Sequence, residues 1–343
     1  MATLPLFKTV AEAYKLHPIY KKLLGESFEP ERALLLEWSE GMVDRDGKFC
    51  HEFQLSFESS MWELYLHACL KKLGAEIDFS HHAPDFVVNG KEGFNIEATI
   101  SAPAKGGQGP IGFDISDMPK GFNEFNSEAT IRVCNSFISK VTKFRNNYSK
   151  LSHAQNKPFV LAIALFHAPF SHFAAMRPII SALYGLYHDE DETIASGATK
   201  MVSYNVAGVF KKENVFLPLG YFCTPEYSDI SAVIYSDVAT WGKIRAMANN
   251  PDAMSFYTTF HPNPNGLEPI VKNASKAEYN EDLLDGLCIF HNPYAKHPLS
   301  PRIFDHERIA QAHIKPDGEL YFDHPDDFLF CRMINTITPK TSS

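Results

Sequence analysis

Hydrophobic and polar positions along the chain follow two rhythms, one of helices and one of short strands. From Phe57 to Gly74, FESSMWELYLHACLKKLG is built of good helix formers and closes on glycine, which predicts a helix. Its apolar residues reach around most of the circumference, so it should be buried on more than one side. Three extended segments follow, AEIDFS (75–80), DFVVN (85–89) and FNIEATI (94–100), the last two joined by GKEG, a plausible hairpin turn. A Gly/Pro-rich loop over 101–125 leads to NSEATIRVCNSFISKVTKFRNNYSK, in which Ile131, Cys134, Ile138, Val141 and Tyr148 mark one face of a helix. PFVLAIALF (158–166) reads as a fully buried strand. The predicted order is helix, three strands, helix, strand.

The flanks read less regularly. Residues 1–56 form a mainly helical segment, with Pro18 breaking TVAEAYKLHPIYKKLLG and acids opening EPERALLLEWSEGMV. Beyond Pro169, KMVSYNVAGVF, ISAVIYS and GLCIFH are strand candidates, and TWGKIRAMAN between the last two is a short helix. Turn-like stretches such as HPNPNG and HNPYAKHPL fill much of the remainder. No clean linker marks a second independent domain, so these strands should extend the same sheet or build an accessory lobe.

With 343 residues, 45% hydrophobic, the chain can bury a large core. It has no leader-like N-terminus and no run of 18 uncharged apolar residues, which suggests a soluble, cytoplasmic protein without a membrane partner. Six scattered cysteines without C-x-x-C spacing suggest buried thiols rather than disulfides or zinc. The net charge of -9 argues against indiscriminate coating of nucleic acid. Yet no Asp or Glu occurs from Ala129 to His188, where Arg132, Lys140, Lys143, Arg145, Lys150, Lys157 and Arg177 lie. That stretch is either a local polyanion-binding surface or a helix with a basic solvated face.

The candidate chemistry sits on the hairpin. Glu97 and Thr99 are two apart on a strand and share a face. If the two strands pair, Asp85 near the start of one approaches Glu97 near the end of the other. Two carboxylates with a backbone carbonyl and waters suit Mg²⁺, which can activate water and neutralise charge on a phosphate. On the preceding helix Ser59, Glu63, His67 and Lys71 fall every four residues. Glu63 stands within apolar MWELYL and could aim at the metal; the plainer reading is a narrow solvated stripe.

Glu63, then PDF at 84–86, IEAT at 96–99, a basic helix and PFVLAIALF together resemble the PD-(D/E)XK nuclease superfamily over residues 57–166. The resemblance implies an α/β fold with a restriction-endonuclease-like αβββαβ core and mixed sheet over 57–170, an N-terminal helical segment over 1–56, and a C-terminal α+β extension over 171–343 that would serve substrate recognition. It further implies that Glu63, Asp85, Glu97 and the Ala98 carbonyl bind Mg²⁺ or Mn²⁺ and that the protein cuts phosphodiesters. Where the superfamily usually has lysine, this chain has Thr99, which carries no positive charge. Lys140, on the stripe Arg132, Ser136, Lys140 and Lys143, is the first candidate for a migrated cation and Lys91 a weaker one; an ordinary solvated lysine is the plainer reading. Asp85, Glu97, Thr99 and Lys140 would then form the catalytic set. Arg132, Lys140, Lys143 and Arg145 would contact double-stranded DNA, with a homodimer to cut both strands.

Other motifs rank lower. His81 and His82 are adjacent on an extended segment and point apart, so they cannot easily chelate one ion. HERIAQAH spaces His306 and His313 about two helical turns apart, too far for one metal. KGGQGP lacks the phosphate-loop lysine and reads as a mobile loop near the site. Trp241, Lys243 and Arg245 could touch nucleic acid, against a core-packing tryptophan beside two solvated cations. Three functions remain distinct: a metal-dependent DNA (or RNA) endonuclease, a catalytically degenerate nucleic-acid-binding protein, and a hydrolase such as a glycosidase using Asp85 and Glu97 without metal.

Overall fold

The computed structural model describes residues 2–111, 114–251 and 253–337. Four helices precede the first strand: α1 (Pro18–Leu23), α2 (Glu29–Trp38), α3 (Phe49–Leu55) and α4 (Phe57–Lys72). Strands β1 (Phe86–Val88) and β2 (Phe94–Ser101), the long helix α5 (Phe122–Asn146) and β3 (Phe159–Leu165) come next. Then follow α6 (Arg177–Tyr184), β4 (Leu186–Asp189), α7 (Glu190–Ser196), β5 (Val202–Asn205), β6 (Gly208–Lys212), β7 (Val215–Pro218) and β8 (Ala232–Ser236). The chain ends through α8 (Trp241–Met247), β9 (Ser255–His261), β10 (Ile270–Ser275), β11 (Cys288–His291), β12 (Ala310–Ile314), β13 (Leu320–Asp323) and β14 (Cys331–Thr336).

The fold is α/β, organised on a mixed sheet of seven strands in the order β1-β2-β3-β8-β11-β12-β13. Strands β2, β3 and β8 run parallel, with an antiparallel β1 at one edge. β11 is antiparallel to β8 but parallel to β12, and β13 closes the other edge antiparallel to β12. Alternation along the strands divides the core. Phe94, Ile96, Ala98, Val160, Ala162 and Ala164 face the N-terminal helices. Phe159, Leu161, Ile163 and Leu165 face α5 and α6. The central strand β3 is buried throughout, as its unbroken apolar run predicts for a strand covered on both faces. Trp62 of α4 donates its indole N–H to the Ala162 carbonyl (3.1 Å), fixing that helix across β3.

Helix α4 and strands β1, β2, β3 and β8 lie where the sequence predicts them, and Gly74, at φ +76, ends α4's last turn. Several expectations are corrected. Residues 75–80 make no strand; only Ile77 bridges to Val88. Residues before Pro18 form turns, so α1 starts at that proline instead of being broken by it. Helix α5 starts at Phe122 and buries Ala129, Val133, Phe137, Val141 and Phe144, leaving Ile138 exposed. The inward face is thus rotated from the one that Ile131 and Ile138 suggest, because the aromatic pair Phe137 and Phe144 fills more of the core than the isoleucines could. KMVSYNVAGVF divides into β5 and β6, and β9, β10 and β14 form a second, three-stranded sheet without a clear sequence signal. HERIAQAH is not helical: Ala310 and Ala312 are buried on β12 while His313 points outward, the period of a strand.

Among the described residues no helix is long and apolar enough to cross a membrane. All six cysteines are free, and Cys69, Cys134, Cys288 and Cys331 are buried thiols.

Gly286 tests the packing between the end of β8 and the β11 entry. It adopts φ +77, and an added Cβ would fall 2.0 Å from Val238 Cγ2 and 3.3 Å from the Leu329 carbonyl. Gly286→Ala should therefore cost about 2–4 kcal/mol from overpacking and left-handed strain together. A shift in the urea unfolding midpoint measures it; a cost under about 1 kcal/mol would show that the turn can rearrange.

A carboxylate pair and two lysines at the sheet edge

The hairpin register decides what the carboxylates can reach. Phe86 pairs with Ile96, so the next step along the ladder sets Asp85 opposite Glu97. β1 ends there, and the backbone N–H of Ala98 is left to a side chain: it donates to Asp85 Oδ2 at 2.7 Å. The N–H and C=O of one strand residue leave the same edge of the strand, so the Ala98 carbonyl also faces the side on which Asp85 stands. Arg45 secures this corner by donating Nη1 to the carbonyls of His81 (2.5 Å) and Pro84 (3.0 Å) and Nη2 to that of Asp85 (3.0 Å).

Glu97 lies under α5 and is 1% exposed. Its Oε1 accepts from Lys140 Nζ at 2.6 Å and from Lys143 Nζ at 2.9 Å. Its Oε2 is buried with no partner. Burial alone would lower the Lys143 ammonium pKa, but its contacts with Tyr148 and Glu97 hold it above the ordinary lysine range. Lys140 is therefore neither a free solvated lysine nor a distant one: it lies on the carboxylate that the strand presents.

Three acids share this region. Burial, followed by the charge of Glu97, pushes Asp85 up to about 6, against the Ala98 N–H and the two lysines. Burial, followed by the charges of Asp85, Glu52 and Glu97, pushes Glu63 up to about 8. The expected three-carboxylate cage is nevertheless not formed. Among the described residues no three His, Cys, Asp or Glu side chains gather closely enough to hold a metal ion. Both lysines engage Glu97 from α5, and Glu63 feels the charge of Asp85 with no hydrogen bond between them. What remains is Asp85, Glu97 Oε2 and the Ala98 carbonyl. That oxygen set fits an ion such as Mg²⁺, which keeps several waters and takes one or two carboxylates.

Other nominated residues fall into two groups. Thr99 shares the Glu97 face of β2, pairs with Ile163 on β3 and is half-buried. Lys91 is exposed in the hairpin turn, with no contact to the acids. Arg145 is turned from the lysine stripe and tied to Asp229 (2.8 Å) and the Glu226 carbonyl. Arg132 faces Glu128 at 3.8 Å, and Arg177 pairs with Glu190. Much of the acid-free stretch is thus neutralised by carboxylates from elsewhere, and its charge is not a continuous open surface. The α4 stripe is solvated only at its end: His67 is 3% exposed with Nδ1 on the Trp38 carbonyl (2.8 Å), while Lys71 is exposed and pairs with Glu40. Lys243 and Arg245, read as exposed cations, are buried at 0% and 7% in ion pairs with Glu281 and Glu31. His81 stacks on His153 at 3.7 Å.

One residue escaped the sequence reading. His167, just past β3, is 2% exposed with both ring nitrogens unpartnered, and burial, followed by Arg132, lowers it to about 4. The only signal for it was a polar residue closing the apolar run PFVLAIALFH. With the Ser101 and Ser136 hydroxyls 3.3 Å apart, the polar groups between α5 and the sheet run from Glu97 past Ser136 to Arg132 and His167. Comparison of the chain with protein-family models, with curated proteins and with solved structures finds no match in any of the three.

The raised acids make a pH prediction. Glu63 ionises near 4.5 when unfolded but near 8 when folded, and Asp85 near 3.8 and 6. The native state therefore holds more protons than the unfolded chain between these values, and stability falls as pH rises through that window. Glu63→Gln should flatten the decline between about pH 5 and 8 and exceed the wild type in stability at the upper end. Urea denaturation of both proteins at several pH values reads this out; parallel curves would show that Glu63 is solvated in solution.

Proposed function

We propose that the protein is a metal-dependent endonuclease that hydrolyses DNA phosphodiester bonds, built on a restriction-endonuclease-like core spanning α4 to β3. The observation that carries this reading is Glu97. One of its oxygens holds Lys140 at 2.6 Å, while the other is buried and unpartnered beside the strand end that presents Asp85. A buried carboxylate oxygen without a donor is costly, and a cation would satisfy it.

Asp85, Glu97 and the Ala98 carbonyl would hold Mg²⁺ or Mn²⁺, which supplies a more acidic bound water and neutralises phosphate charge. The chain's own groups do the rest. Lys140 provides the ammonium that Thr99 cannot, reaching Glu97 from α5 instead of from the strand. Glu97 aligns that ammonium, and Arg45 fixes the backbone ahead of Asp85. Negative charge that develops on a phosphate at this corner would meet Lys140 in a largely dry environment, where such stabilisation is strongest. Glu63 and Asp85, raised first by burial and then by the charges of neighbouring carboxylates, would be drawn toward their ionised forms by a bound cation.

A second reading is favoured by one feature of the same cluster. Lys140 and Lys143 both engage Glu97 Oε1, so the carboxylate already has two counter-ions. Such a self-contained ion cluster suits a nucleic-acid-binding protein that has kept the fold and lost the chemistry.

Plasmid and linear duplex DNA incubated with Mg²⁺ or Mn²⁺ distinguish the two. Asp85→Asn and Glu97→Gln should each reduce cutting by at least about a hundredfold, as should EDTA. Lys140→Ala should lower the rate by about a hundredfold with Lys140→Arg partly restoring it, while Lys91→Ala has no effect. Tight DNA binding with no cutting by either metal would replace the enzyme with the binding protein. Cleavage of single-stranded RNA but not DNA would reassign the substrate.

A further inference from the structure

On the face of the sheet opposite Glu97, beyond the carboxyl ends of β3 and β8, lies a cavity of about 300 Å³. In open α/β sheets this end of the parallel strands is where small ligands bind, and this volume is within the range of ligand pockets. Phe166 follows β3 into its wall, Thr240 and Trp241 open α8 beside it, and Phe57 and Met61 of α4 close it from the N-terminal side. Phe57 and Trp241 stand edge to face, 6.4 Å apart at an interplanar angle of 73°; Phe57 is fully buried, and the half-buried Trp241 presents the aromatic surface.

The polar part of the wall is charged. Arg332, with its side chain 1% exposed, lines the cavity and gives Nη1 to Glu281 (2.5 Å) and Nη2 to the Val238 carbonyl (2.8 Å). Its Nε has no partner. Lys243, fully buried, takes the same Glu281 Oε1 at 2.6 Å. One carboxylate thus serves two buried cations. Burial would raise the Glu281 carboxyl, but Arg332 and Lys243 hold it below the ordinary value. Burial pushes the Asp237 carboxyl up, against the charges of Arg332, Arg177 and Lys243. Glu58, the one acid on the cavity wall, lies against His17 Nε2 at 3.2 Å. His172, on the same wall, is neutral, since burial and then Arg332 lower it to about 4. Gly242 lies close under the guanidinium: a Cβ there would fall 2.7 Å from Arg332 Nη2, so a larger residue would displace that group.

We propose that this cavity binds a small aromatic anion of mononucleotide size, with its phosphate beside Arg332 and its ring against Trp241. The anion would accept from the Arg332 Nε–H that no protein group takes, and Trp241 would set the orientation. The proposal is independent of the nuclease reading, so nucleotide binding by a protein that cuts no DNA would support this site alone.

Tryptophan fluorescence and calorimetry with the four nucleoside 5′-monophosphates, adenosine and inorganic phosphate test it. At least one monophosphate should bind saturably below about 1 mM, with adenosine and free phosphate each weaker by about tenfold or more. Ile334→Trp, which fills the cavity from β14, should weaken the nucleotide by about tenfold or more while leaving the melting temperature near that of the wild type. If that variant does not fold, Thr336→Trp, on the same wall near the end of the strand, serves instead. No saturable binding by any monophosphate, adenosine binding as tightly as its phosphate, or unchanged affinity in the filled variant would each overturn the assignment.

Discussion

Glu97 governs the arrangement around it. A carboxylate 1% exposed on an interior-facing strand position would be untenable alone, since an uncompensated buried charge costs several kcal/mol. Lys140 and Lys143, one helical turn apart on α5, make it tolerable. The helix between β2 and β3 is thereby held at a defined rotation, with Val133, Phe137, Val141 and Phe144 turned into the core and the lysines turned onto the strand. The same requirement explains why Ile138 is left outside although it belongs to the apolar pattern. Charge pairing and aromatic packing agree on one rotation of α5, and β2, β3 and the acid corner follow from it.

Charge elsewhere in the molecule is handled in the same way, by pairing across long sequence separations. Arg145 reaches Asp229, Arg177 reaches Glu190, Arg245 reaches Glu31, and Arg332 and Lys243 converge on Glu281. A net charge of -9 and an acid-free stretch suggested separated positive and negative regions. Instead, most of the cations of that stretch are consumed internally. The Asp85 and Glu97 corner keeps a buried carboxylate oxygen without a donor, and the Arg332 cavity keeps a buried guanidinium N–H without an acceptor. They lie on opposite faces of the sheet. One is suited to a cation and the other to an anion, which makes each a place where an external group can complete the electrostatics.

Much of this was visible in the chain. The unbroken apolar run of β3, the glycine-closed hairpin, and the spacing of Asp85 and Glu97 fix the helix and strand order and set two carboxylates on facing strands, because strand period and hairpin turn chemistry are local properties. The missing lysine at Thr99 made Lys140 a candidate, but a stripe of cations at helical spacing ordinarily faces solvent, and only the packing of α5 shows Lys140 on Glu97. What the sequence could not determine was pairing. Whether Glu63 joins the acids or only repels them, whether Lys243 and Arg245 are solvated or buried, and that His167 and Arg332 keep unpartnered nitrogens all depend on residues from distant parts of the chain. Those contacts carry no local pattern. Burial and charge compensation are set by the packed neighbours of a side chain, and only the tertiary structure decides who those neighbours are.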